Sequence, residues 1–186
     1  MMPMRRVLPH ALAFCIVVVA SGQAPPNDQH MDAGARRMMK SADAAFALKA
    51  AQGGLAEVKL GRLAAEKGAS PDVKAFGQQM VDDHGKANEQ LKAAAESRGM
   101  TLPADVNGTQ QAMYDRLSKL SGAQFDSAYV KDMIMDHQDD IKEFKKEAQS
   151  GTDEQIKSFA SQTLPVIEGH LEKLKSIQPT LAPSSK

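Results

Sequence analysis

Cysteine is almost missing from this chain: the single one, Cys15, sits inside an apolar N-terminal run. One thiol closes no intrachain disulfide, and if that run is removed no thiol remains to ligate a metal. Tryptophan is absent, and the other aromatics amount to two tyrosines and six phenylalanines. That scarcity, beside an abundance of Ala, Lys, Gln, Glu and Leu, disfavours strands and favours helices. An excess of charge of one sign is lacking too, with 23 basic and 23 acidic residues. No long-range field draws in nucleic acid, and no Lys/Arg cluster with interleaved aromatics appears, so nucleic acid is excluded as a partner. Glycine-rich phosphate loops, a nucleophile elbow and paired catalytic motifs are missing as well, which removes most enzyme classes.

What is present begins with a targeting segment. Arg5 and Arg6 form a positive start, and Val7 to Ala20 an almost wholly apolar run. Val18 and Ala20 suit the small-residue rule for cleavage near Ala20, so residues 1–20 read as a signal peptide and the product as periplasmic or secreted. The run is short and one-sided for a spanning helix; a retained anchor is the alternative, and no integral span follows cleavage. Cys15 follows the bulky Phe14, a poor lipoprotein cleavage site. Removing Arg5 and Arg6 leaves 23 − 2 = 21 basic against 23 acidic residues, a net charge of −2. Residues 21–40, with Pro25, Pro26 and Gly34, read as a flexible leader. Its His30, Met31, Met38 and Met39 are soft donors without regular spacing, as expected of an uninvolved linker.

Helical periodicity governs 41–178. A first helix is expected from Asp43 to Lys67, stopped by Gly68, with Phe46, Ala50, Gly53, Glu57, Leu60 and Ala64 facing inward. Gly53 and Gly54 weaken it and suggest a neighbouring helix close by. A second starts at Ser70-Pro71-Asp72, a cap, a first-turn proline and a dipole-matched acid, and ends at Gly99. A short helix, Thr109 to Leu120, bridges to a third long one from Ala123 to Gln149, where Ser121 and Gln124 have capping-box spacing. Asn107-Gly108-Thr109 matches a glycosylation triplet but reads as a turn. The fourth long helix follows Thr152, with Gln155 in capping-box spacing, and runs to Ile177; Pro165 should kink it. Residues 179–186 read as a frayed tail. The expected fold is all-α: an antiparallel four-helix bundle with an extra short helix between the second and third long helices.

Three of the five histidines, His84, His137 and His170, fall near the middle of three of these helices and in their apolar register; Glu57 falls near the middle of the remaining one. Their offsets from the helix starts differ by about 6 Å at most, one helical turn, so antiparallel packing can bring them level. Three imidazoles and a carboxylate suit one transition metal ion, Zn, Fe or Cu. Asp136, Asp140 and Asn88 lie where they could ligate or orient these groups. Each histidine alone reads as a hydrogen-bonded core residue. Three at one level with a glutamate are a costly choice if stability alone is served, since leucine would serve it better. Met80 and Met133, one turn before His84 and His137, add a copper option that Val166 breaks on the last helix.

The stretches Gly53-Gly54-Leu55-Ala56-Glu57-Val58-Lys59-Leu60-Gly61, Ser70-Pro71-Asp72-Val73-Lys74-Ala75-Phe76 and Met80-Val81-Asp82-Asp83-His84 resemble the exported bacterial family catalogued as domain of unknown function 4142. The resemblance covers about Asp43 to Ile177 and implies a ferritin-like helical fold in the cell envelope. Di-iron members of the ferritin-like class carry Glu-x-x-His on two helices, whereas Val81 and Ile167 stand three residues before His84 and His170 here. A single-metal site fits that departure better than a di-iron oxidase. Three functions compete: a metal-binding bundle for storage, buffering or stress protection; a metal-free structural or partner-binding envelope module, including a homo-oligomer; and a metal-dependent oxidoreductase.

Overall fold

The computed structural model describes residues 42–181. The signal segment, the leader and residues 182–186 lie outside that range. Among the described residues there are five α-helices and no strand: α1 (Ala42–Lys67), α2 (Pro71–Glu96), α3 (Gly108–Ser118), α4 (Gly122–Ser150) and α5 (Glu154–Ile177). A 3₁₀ turn, Gln178–Leu181, closes the described range, and Leu181 packs on the core. No described helix is long and apolar enough to cross a membrane.

Local chemistry fixes the helix starts. Ser70 is extended and accepts from Asp72 N, with Pro71 in the first turn of α2. Asn107, read from sequence as part of a turn, closes a full capping box: its Oδ1 accepts from Gln110 N at 3.0 Å while its own N–H donates to Gln110 Oε1 at 2.9 Å. Two expected caps differ. Ser121 precedes α4 but makes no side-chain cap bond. The cap of α5 is Asp153, whose Oδ1 accepts from Gln155 N and Ile156 N. Thr152 is drawn away instead, since its N–H and hydroxyl both donate to Asp43 at the start of α1. Pro165 lies within α5, which continues through it.

The glycines that stop helices do so for two different reasons. Gly99 has φ +66°, the left-handed cap geometry, and Met100 N reaches back to Ala95 O. Gly68 and Gly151 lack a positive φ; a β-carbon there would stand 2.7 Å from Ala64 O and 2.6 Å from Glu147 O.

Each long helix packs mainly on two others: α1 and α5 each meet α2 and α4, while α3 lies on α1 and α4. The closest approach joins α1 to α2. Gly61 and Gly77 face each other so tightly that a β-carbon on Gly61 would come 2.7 Å from Gly77 O, and one on Gly77 2.6 Å from Gly61 O. Gly54 is also crowded, by the Asn88 side chain, whereas Gly53 has nothing nearer than Asp140 Oδ2 at 4.0 Å. The expectation of a close neighbour therefore holds for one glycine of that pair. Asp126 of α4 accepts from Ala69 N and Ser70 N, tying the α1–α2 turn to the second half of the chain.

Buried apolar residues form two clusters. One contains Leu60, Phe76, Met80, Phe125, Tyr129, Met133 and Leu174, and the other Phe46, Ala51, Leu91, Phe144, Phe159 and Ile167. On all four long helices one polar residue separates the two sets: Glu57, His84, His137 or His170.

Candidate metal centre

Helical spacing places those four residues at one level. Leu60 follows Glu57 by three residues, Met80 and Met133 precede His84 and His137 by four, and Leu174 follows His170 by four. Burial of these neighbours therefore carries the polar side chains inward on the same stripe. Exposure is 2% for Glu57, 4% for His84, 0% for His137 and 1% for His170. The imidazole centroids lie 5.1 to 5.8 Å apart. One nitrogen from each ring falls in a set whose members are all within 4.8 Å of one another. His84 Nε2 and His170 Nδ1 are closest, at 3.2 Å.

A chain of polar contacts runs through the level. Oε2 of Glu57 is 2.8 Å from His84 Nδ1, His84 meets His170 as above, and His170 Nε2 is 2.8 Å from Asp83 Oδ2. Asp83, its side chain 38% exposed, ends the chain at the surface. His137 stands apart from it. Its Nδ1 is 3.6 Å from Glu57 Oε1, too far for a hydrogen bond, and neither ring nitrogen has a partner. Glu57 Oε1 and the Tyr129 hydroxyl are also buried without partners.

Electrostatics follow from this burial. Loss of water pushes Glu57 up to about 8 and His84 down to about 4, so burial favours the uncharged form of both partners. His137 falls well below its ordinary range through burial and the two neighbouring imidazoles; the Met133 carbonyl one turn back works the other way without meeting either nitrogen in good geometry. His170 is lowered by burial, with its Asp83 bond in opposition. Burial also acts to raise Asp83, but the bonds from His170 and Gln79 outweigh it and leave that carboxyl low. Asp136 rises to about 7 and Asp140 to about 8, by burial first and by the Glu57 charge second. Neutral imidazoles present the lone pairs that bind a metal.

The structure thus brings Glu57, His84, His137 and His170 together, and Asp136 joins them: its carboxylate, Glu57 and His137 form a second set within 4.8 Å. Asp140 belongs to neither set, although Glu57 and Asp136 both act on it. Asn88 makes no hydrogen bond to the cluster; its side chain covers Gly54 and lines a surface groove of about 440 Å³ with Leu55, Lys92 and Leu102. Sequence reasoning missed Asp83 and the polar end of Tyr129. Asp83 is off the inner stripe and reaches His170 across the α2–α5 contact, which helical spacing on one helix does not reveal. Tyr129 lies on the buried stripe of α4, and only its unpartnered hydroxyl sets it apart.

The donor set fits a transition metal. Three neutral nitrogens and a carboxylate are what such an ion takes, and Glu57 Oε1 and the lone-pair nitrogen of His137 are unpartnered acceptors it would satisfy.

Two solved structures share this fold. A fragment of the DUF305 family from Deinococcus radiodurans is 14% identical, with a TM-score of 0.66 over 75% of this chain and 96% of that one. A DUF305 protein from Streptomyces coelicolor, described as secreted, is 15% identical, with a TM-score of 0.66 over 77% of this chain and 95% of that one. No curated protein matches. The sequence profile that does match spans residues 28–177, and by it the chain belongs to the family described as domain of unknown function (DUF4142).

Proposed function

We propose that this protein is an exported, ferritin-like four-helix bundle that binds a transition metal ion between its helices, for storage, buffering or stress protection. Glu57, His84, His137 and His170 are its ligands, with Zn, Fe and Cu all suited to three nitrogens and one oxygen. One observation carries the reading: His137 is fully buried with both ring nitrogens unpartnered, beside an unpartnered oxygen of Glu57. An unsatisfied buried polar group costs about 1–3 kcal/mol, and a bound ion removes that cost at each lone pair it ligates. A metal-free envelope module leaves it unexplained. Export draws support from the sequence of residues 1–20 and from the secreted structural neighbour. Elemental analysis of the chain purified without an affinity tag tests the reading. Metal below about a tenth of an equivalent, with no rise in Tm on titration, defeats it; at a hundredfold excess over Kd, binding should stabilise the fold by about 2.7 kcal/mol.

A further inference from the structure

His170 is held from outside the site as well as from within. Its Nε2 lies 2.8 Å from Asp83 Oδ2 across the α2–α5 contact, and its Nδ1 lies 3.2 Å from His84 Nε2 on the core side. The Asp83 carboxyl is ionised at neutral pH and can only accept, so the hydrogen of the neutral His170 ring sits on Nε2. Nδ1 is then left with its lone pair, on the side where the three histidines converge. Two neighbours steady this arrangement. Gln79, one turn before Asp83 on α2, donates to the same Oδ2 at 3.3 Å. Phe76 packs edge-on against the His170 ring, with centroids 5.8 Å apart and planes at 87°.

We propose that Asp83 is a positioning residue for the metal centre: it fixes His170 in the Nε2–H form, so that His170 ligates the ion through Nδ1. This rests on the function proposed above and adds to it a carboxylate that never touches the ion. Tetrahedral bonds of about 2.0–2.1 Å place two nitrogens roughly 3.3 Å apart. His84 Nε2 and His170 Nδ1 already have that spacing. Without an ion, the His84 Nε2–H donates to the Nδ1 lone pair; with one, the ion takes that place. Glu57 then holds His84 as Asp83 holds His170, since its Oε2 lies 2.8 Å from His84 Nδ1 and leaves Nε2 facing inward. Its Oε1 remains for the ion. His137 has no such outer carboxylate on either nitrogen.

Zinc(II) is the probe. Nitrogen NMR spectra of the isotopically labelled, untagged full chain read which His170 nitrogen is protonated, and competition with a chromophoric chelator reads Kd. His170 should be protonated at Nε2 without zinc and ligated through Nδ1 with it. Asp83→Leu should weaken zinc binding about 10–100-fold and let the metal-free ring populate both tautomers. Asp82→Leu removes the same charge one residue away, where the carboxylate accepts from Gln78, and should leave both readings at their wild-type values. A wild-type ring protonated at Nδ1, or ligated through Nε2, overturns the proposal even if a variant fails to fold. So does an Asp83→Leu affinity within about twofold of wild type, or an equal loss in Asp82→Leu, which makes the effect one of charge alone. No zinc bound at all defeats the function proposed above, and the metal-free spectrum still decides the tautomer.

Discussion

Replacing His137 by leucine should make the metal-free protein more stable, and replacing His84 by leucine should make it less stable. The two histidines sit on facing helices at the same depth, 0% and 4% exposed, so burial alone predicts the same sign for both. Their partners differ. His137 has none for either nitrogen, and leucine of similar volume removes two unsatisfied polar atoms from an apolar surround. At about 1–3 kcal/mol for each of the two atoms, partly offset by imperfect packing, the net gain is about 1–3 kcal/mol. For a domain of this size that is a rise in Tm of about 2–4 °C per kcal/mol. His84 bridges Glu57 Oε2 and His170 Nδ1, so its loss orphans a buried carboxyl and a buried ring. That should cost about 1–3 kcal/mol for each group left alone. Urea unfolding in excess chelator measures both. A His137→Leu protein that is destabilised by a kilocalorie or more refutes the reasoning, because it means the imidazole is satisfied in the metal-free state. The same variant should lose the Tm rise that metal gives the wild type, which turns a gain in stability into a loss of binding.

The remaining predictions address the frame around the site. Gly61→Ala forces a β-carbon onto the Gly77 carbonyl and should cost about 1–3 kcal/mol in urea unfolding, whereas Gly85→Ala, with open space around it in mid-α2, should gain about 0.5–1 kcal/mol. Asp126→Ala strips the acceptor from Ala69 N and Ser70 N and should cost about 1–3 kcal/mol, with hydrogen exchange at these two amides accelerating more than elsewhere in α1 and α2. Glu147 is raised from 4.5 to about 7 by burial and then by its bond and proximity to Asp43. The folded state therefore holds this proton after the unfolded chain has released it, and stability from Glu147 is present below pH 4.5 and lost as pH climbs toward 7. Asp43 is lowered and acts in reverse, losing its contribution as pH falls below 3.8 and through its folded value. Glu147→Gln should flatten the decline in Tm between pH 4.5 and 7; an unchanged slope there removes Glu147 as its source.

How much of this was legible from residues alone depends on the length scale of the interaction. Helix stripes are local and repeat, so the inner faces of α2, α4 and α5 could be read from spacing: Phe76, Met80, His84 and Leu91, or Ile156, Phe159, Ile167, His170 and Leu174, are buried as their register requires. Caps are local too, yet three of them read differently in the structure, because the choice among neighbouring candidates is made from afar. Thr152 does not cap α5 because Asp43, 109 residues earlier, takes its N–H and hydroxyl; Asp153 is then left to cap, with Arg98, just past the end of α2, paired to it. Asp83 shows the same limit at the site. It adjoins His84 in sequence, where helical spacing assigns it to another face, and it enters the site through His170 on a different helix.

The site's position follows from the same packing. A polar layer in mid-core costs least where the apolar sets on either side of it are each large enough to hold the helices together. Here the cluster below contains Phe76, Phe125, Tyr129 and Leu174, and the cluster above contains Phe46, Phe144, Phe159 and Ile167. Each binds all four long helices independently, so ligand residues between them can be misaligned by about 1 Å without unfolding the chain. A carboxylate and three rings held in that way share one depth in the core, which suits a centre that binds an ion between the helices. Swapping Leu60 or Ile167 for alanine should therefore loosen the frame by about 2–5 kcal/mol and yet leave metal stoichiometry intact. Were stoichiometry to fall with either change, the two clusters would be setting ligand geometry as well as stability, and the ion would be held by a rigid core instead of an adaptable layer.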